Sequence, residues 1–91
     1  MNFQQLRFVV AVADLRSFTS AADLCCVTQP ALSNAIAQLE EELGAKLFDR
    51  TTRSVTLTAF GASLIGDVRA IIDAKSRLLV NSADYLARDD H

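Results

Sequence analysis

Ser17-Phe18-Thr19-Ser20-Ala21-Ala22-Asp23-Leu24, then Cys25-Cys26-Val27, then Thr28-Gln29-Pro30-Ala31-Leu32-Ser33-Asn34 is the stretch whose reading decides the fold. It predicts two helices with a short break. Ser17 is suited to cap the first, and Phe18, Ala21, Ala22 and Cys25 form its inner stripe. Thr28 is suited to cap the second. Pro30 falls in its first turn, where a missing backbone N–H costs nothing. Leu32, Ala35, Ile36, Leu39 and Leu43 then follow the helical period and face inward, and Gly44 is a natural stop. A short helix, a tight connection and a longer helix with a small polar tip are the sequence form of a helix-turn-helix. That motif places the tip of its second helix in a DNA major groove.

Upstream, Asn2 and Gln5 form a capping-box pattern. Phe3, Leu6, Val9, Val10 and Ala13 repeat at three- and four-residue spacing, predicting a first helix that fades over residues 14–16. Downstream of Gly44 the period changes. Leu47-Phe48-Asp49-Arg50 and Ser54-Val55-Thr56-Leu57 are rich in β-formers and flank Thr51-Thr52-Arg53, which predicts a two-stranded wing. A lone hairpin is marginal in water, so it must lean on the helices through Leu47, Phe48, Val55 and Leu57. Thr58 then caps a last helix reaching to about Ala87. Its apolar positions are Phe60, Leu64, Ile65, Val68, Ile71, Ile72, Leu78, Leu79, Ala83 and Leu86. They are too many for a helix that touches one small domain, and they suggest a partner helix, most simply a second copy. The chain is mainly α: residues 1–57 form a winged helix-turn-helix of three helices and a wing, and residues 58–91 a dimerisation helix and tail.

Composition bounds this reading. Ninety-one residues make one small domain, and a hydrophobic fraction of 51% against 22% charged is that of a globular chain. One Pro and three Gly favour long helices over many short strands. No apolar run approaches the roughly 20 residues needed to span a bilayer. The N-terminus lacks the basic-then-apolar profile of a secretory signal, which predicts a cytoplasmic location and no membrane contact. Cys25 and Cys26 are adjacent, a spacing that suits neither a normal disulfide nor chelation by the pair alone. They read as small apolar residues, with a redox role left open.

The net charge of −2 counts against phosphate binding by the chain as a whole. Its distribution matters more. Residues 46–53 carry three basic residues against one acid. The acids gather at Glu40-Glu41-Glu42, read as a solvated face, and at Asp84, Asp89 and Asp90. The exposed tip of the second motif helix holds Thr28, Gln29, Pro30, Ser33 and Asn34. Gln and Asn can pair two-pronged with adenine, hydroxyls suit phosphates or base edges, and the helix N-terminus attracts phosphate. Arg50 and Arg53 stand at the wing, where an arginine can enter a narrow minor groove or hold the backbone, and Lys46 is a secondary phosphate candidate. The bland alternative is that these are capping, turn and solvated residues. Enzyme chemistry has little to work with. The only histidine is the terminal His91, no Ser/His/Asp or Cys/His set can be assembled around it, and no glycine-rich phosphate loop exists. The chain reads as no enzyme, with no catalytic or metal residues. The rival reading is a protein-interaction module, which an acidic chain would suit; steep salt dependence separates the two.

Five strings fall in a recognisable order: Phe18-Thr19-x-Ala21-Ala22-x-Leu24, Thr28-Gln29-Pro30-Ala31-Leu32-Ser33, Ile36-x-x-Leu39-Glu40-x-x-Leu43-Gly44, Leu47-Phe48-x-Arg50 and Leu57-Thr58-x-x-Gly61. Together they resemble the N-terminal domain of LysR-type transcriptional regulators, closely over about residues 3 to 66. The resemblance implies a winged helix-turn-helix and a linker helix that pairs antiparallel with its copy. It implies a homodimer reading a two-fold-related site in double-stranded promoter DNA, with Thr28, Gln29, Pro30, Ser33, Arg50 and Arg53 at the DNA; the reading of the tip adds Asn34. Leu64, Val68, Ile71, Ile72, Leu78 and Leu79 are the expected dimerisation set. At Asn34 the chain departs from the family, which often carries Arg there. The loss of that charge should change which base is read. Family members continue into an effector-binding domain. The chain is therefore expected to be a piece of a longer regulator, with no cofactor of its own and a small-molecule inducer bound in the missing part. A tetramer and RNA polymerase contact are the further assembly states expected of the intact protein.

Overall fold

A computed structural model describes residues 1–51 and 54–88. Four helices and one small antiparallel sheet follow in the order α1 (Phe3–Leu15), α2 (Phe18–Leu24), α3 (Gln29–Leu43), β1 (Phe48–Asp49), β2 (Thr56–Leu57) and α4 (Ala59–Arg88). Each helix starts where a side chain can satisfy its free N–H groups. Asn2 Oδ1 accepts from Gln5 N at 2.8 Å and Gln5 Oε1 accepts from Asn2 N at 2.9 Å, closing the capping box. Ser17 accepts from Ser20 N, Thr28 from Ala31 N, and Thr58 from Gly61 N.

The break between α2 and α3 is a Schellman turn. Val27 N donates to Ala22 O at 3.0 Å and Cys26 N to Asp23 O at 3.2 Å, with Cys26 left-handed at φ 59°. α3 ends on left-handed Gly44 at φ 99°.

The core lies between α1, α2 and α3. Leu32, Ile36 and Leu39 of α3 are fully buried against Val9, Val12, Phe18 and Ala21, with Leu47 and Phe48 closing one side. α1 buries more than its single expected stripe. Phe8, Ala11 and Val12 join Leu6 and Val9, while Phe3, Val10 and Ala13 are only half-buried. α1 touches α2, α3 and α4, so its buried arc is wide.

Glu40 overturns its assignment to a solvated face. It is 5% exposed, and its Oε2 accepts from Leu47 N at 2.7 Å. Glu41 and Glu42 are exposed. Burying a carboxylate is costly unless it is bonded. The bond ties the end of α3 to the residue that leads into β1. The sheet itself is short: Phe48 pairs with Leu57 and Asp49 with Thr56.

α4 runs antiparallel to α1. Val68 is buried, and Phe60, Leu64, Ile65 and Ile72 pack half-buried on the core. Arg69 grips Asp14 with both nitrogens, at 2.6 and 3.5 Å, and the Lys75 ammonium sits 3.8 Å from the centre of the Phe3 ring. The Arg69 bond holds the Asp14 carboxyl below its ordinary value and raises the guanidinium's. Past Ile72 every described residue is exposed, and α4 leaves the head of the molecule, whose extents are 59 × 26 × 20 Å. The expected dimerisation set is therefore divided. Val68, Leu64 and Ile72 pack within the chain, whereas Ile71, Leu78 and Leu79 are 46%, 67% and 60% exposed, beside Val80, Tyr85 and Leu86.

Among the described residues no helix is long and apolar enough to cross a membrane.

Candidate nucleic-acid interface

The N-terminal turn of α3 carries the first part of the site. Thr28 caps it, and Gln29, Pro30, Ala31 and Asn34 are exposed, with Ser33 half-buried one turn on. Leu32 and Ile36 anchor the opposite face in the core, which fixes how the tip projects. No charged side chain occurs over residues 28–39. The tip can therefore approach a polyanion without repulsion, and its free N–H groups favour a phosphate.

Thr19, in the first turn of α2, donates its hydroxyl to Gln29 Oε1 at 3.1 Å, so the two motif helices are joined at their N-termini by side chains.

The wing supplies the second part. A groove between α3 and the wing is lined by Ser33, Asn34, Lys46 and Arg50, with the carboxylates of Glu40 and Asp49 also in its wall. The Arg50 guanidinium carbon lies 3.8 Å from the centre of the Phe18 ring, and Phe18 meets Phe48 edge-on at 5.9 Å and 80°. Stacking holds an otherwise loose cation on the motif side of the wing. Asp49 Oδ1 accepts from both the N–H and the hydroxyl of Thr51, at 2.9 and 2.7 Å. The hydroxyl first, then the N–H, holds the Asp49 carboxyl below its ordinary range. Lys46 is 78% exposed and its Nζ lies 3.8 Å from Glu40 Oε1.

The structure thus brings Thr28, Gln29 and Pro30 together at one helix tip and sets Ser33 and Asn34 beside Arg50 across one groove. Arg53 lies outside the described residues. The role of Glu40 and two side-chain contacts escaped the sequence reading. Glu40 was detectable, since Ile36, Leu39, Glu40 and Leu43 share one inward stripe. The Thr19–Gln29 and Phe18–Arg50 contacts have no sequence signal, because they join side chains distant along the chain. Among the described residues, no group of three or more His, Cys, Asp or Glu is placed to hold a metal ion.

A helix-turn-helix braced by a small antiparallel wing, with a long helix projecting from its head, defines the chain as a winged helix-turn-helix protein. Residues 3–62 match the family described as bacterial regulatory helix-turn-helix protein, lysR family, and the chain belongs to that family, one of regulators and not of enzymes. Over 72 residues, 79% of the chain, it is 44% identical to the DNA-binding transcriptional dual regulator OxyR of Escherichia coli (strain K12). Those residues span 24% of that relative, about a quarter of its length. The fold is similar to that in the crystal structure of a BenM_DBD/catB site 1 DNA complex, with a TM-score of 0.91 and 35% identity over 94% of this chain and 97% of that one. It is also similar to a CbnR_DBD–DNA complex, with a TM-score of 0.87 and 32% identity over 94% and 99% of the two chains.

Proposed function

We propose that this chain is the DNA-reading part of a LysR-type transcription regulator. It would bind double-stranded promoter DNA with the tip of α3 in the major groove and the wing on the backbone or minor groove. One observation carries the reading: Ser33 and Asn34, one turn along from an uncharged helix tip, share a groove with a stacked wing arginine. Support comes from the similarity to two domains crystallised with DNA. Thr28, Gln29, Pro30, Ser33 and Asn34 are assigned to the major groove, and Arg50 and Arg53 to the wing contact. The overall charge of −2 is no obstacle: Asp67, Asp73 and Asp84 lie on α4, and the two carboxylates in the groove wall are already engaged, Glu40 with Leu47 N and Asp49 with Thr51.

The dimer interface falls to the exposed stripe of α4 that begins at Ile71. Ile71, Leu78 and Leu79 expose their side chains there, while Leu64, Val68 and Ile72 serve the chain's own core. A homodimer through that stripe would present two tips to a two-fold-related site. In the intact cytoplasmic regulator a small-molecule inducer would bind outside these 91 residues, and the tetramer and RNA polymerase contact belong to that larger assembly.

The test is selection of bound sequences from a random duplex pool at two salt concentrations. A two-fold symmetric motif, with affinity that falls steeply as salt rises, is the expected result. No motif and no salt-sensitive binding would overturn the reading and leave a protein-interaction module in its place.

A further inference from the structure

We infer that Thr19 is a specificity-determining positioning residue. Its hydroxyl, donated to Gln29 Oε1, tethers the Gln29 amide and so restricts how that amide is presented to the major groove. The inference rests on the DNA-binding reading above and deepens it.

The contact is 3.1 Å long and crosses from the first turn of α2 to the first residue of α3. Both side chains are exposed, so burial does not demand the bond. Its cause is local. A threonine inside a helix usually returns its hydroxyl to a carbonyl three or four residues earlier. Thr19 stands in the first turn of α2, where no carbonyl of that helix lies behind it. Its proton is free to cross to α3.

The consequence follows from the donor and acceptor inventory of an amide. Oε1 has two lone pairs and Nε2 two hydrogens. Thr19 takes one lone pair, leaving one acceptor site and both donors. The four base pairs present their major-groove donors and acceptors in four different orders. An amide free to swing and turn over would match more than one order, and a tethered amide matches fewer. A glutamine side chain also loses rotamer freedom when it is pinned, and here part of that loss precedes DNA binding. Thr19 need not touch a base to change which base is preferred.

The experiment compares base-preference profiles of the parent chain, Thr19→Val, Thr19→Ser and Gln29→Ala, selected from one random duplex pool. Each variant's affinity for a non-specific duplex is measured alongside. Thr19→Val should flatten the preference at one base pair per half-site by about 2- to 10-fold, the worth of one neutral hydrogen bond. Other positions and the non-specific affinity should stay unchanged. Thr19→Ser should keep the parent profile, and adding Thr19→Val to Gln29→Ala should change nothing further. An unchanged profile for Thr19→Val overturns the inference while leaving the DNA reading intact. So does an even loss across all sequences, which would make Thr19 a phosphate contact, or a serine variant as flat as valine. A parent chain with no base preference overturns both.

Discussion

Replacing Gly61 with alanine drives a methyl group into the backbone that leads to the wing. A Cβ at Gly61 would stand 2.2 Å from the Leu47 carbonyl oxygen and 3.0 Å from a Leu57 methyl. Ordinary carbon–oxygen contact begins near about 3.3 Å, so α4 and residue 47 must separate by about 1 Å. Overpacking of this kind costs about 1–3 kcal/mol. The retreat also stretches the bond from Thr58 N to Leu47 O, now 3.0 Å, worth about 0.5–1.5 kcal/mol. Alanine's higher helix propensity returns about 1 kcal/mol. The balance is a loss of about 1–3 kcal/mol, which for a domain of this size lowers Tm by roughly 5–20 °C. Gly66 is the internal control. It lies in the same helix with nothing within 4 Å of its would-be Cβ. Gly66→Ala should therefore raise stability by about 0.5–1 kcal/mol. Thermal melts followed by circular dichroism, all at one protein concentration because the proposed self-association would shift Tm, decide the matter. If Gly61→Ala melted at or above the parent, the close approach of α4 to residue 47 would be wrong.

Four further outcomes are expected. Glu40→Ala orphans the Leu47 N–H and should cost about 1–3 kcal/mol in urea unfolding, whereas Glu40→Gln, which keeps an acceptor oxygen, should cost less. Arg50→Ala should weaken DNA binding evenly across sequences and reduce the slope of log affinity against log salt by about 1. Leu78→Asp and Leu79→Asp should sediment as monomers while the helical signal of the head persists; a surviving dimer would place the interface elsewhere. Asp14 titrates below its ordinary value because Arg69 bonds its charged form. Its contribution is therefore complete above the unfolded carboxyl value of about 3.9 and fades as pH falls through the lower folded value. With both groups about half exposed, the pair is worth only about 0–1 kcal/mol. A carboxyl NMR titration of Asp14 with a midpoint at or above the unfolded value would contradict the contact.

What could be read without the structure were the features that act over one or two turns of chain. Asn2 with Gln5, Ser17, Thr28, Thr58 and Gly44 each mark a helix end through a bond to a residue at most four positions away. The stripe of α3 was equally legible, because Leu32, Ile36 and Leu39 meet one continuous core. Periodicity records that a position is apolar, not what covers it. Hence α1 hid a wider buried arc in Phe8, Ala11 and Val12, and the α4 stripe gave no sign of dividing after Ile72 between the chain's own core and solvent. Glu40 was misplaced because its two acidic neighbours suggested a solvated run. At the candidate interface the residue types at the tip and wing were legible. The contacts that orient them, from Thr19 to Gln29 and from Phe18 to Arg50, arise only when separate elements meet.

The outer half of α4 has a consequence for how this chain should behave as it is diluted. Residues 73–88 are all exposed, and among the described residues their one cross-helix side-chain anchor is the Lys75–Phe3 contact near their start. Most of a helix's stability in water comes from packing an apolar face and not from propensity, so this segment depends on lateral contacts it does not make within its own chain. Backbone amides there should exchange with deuterium far faster than those around Val68, by local fraying and not by global opening. Concentration becomes a folding variable for that half alone. Under the proposed pairing, helical content should rise with concentration and exchange should slow beyond Ile72, while the head, already complete, registers no change.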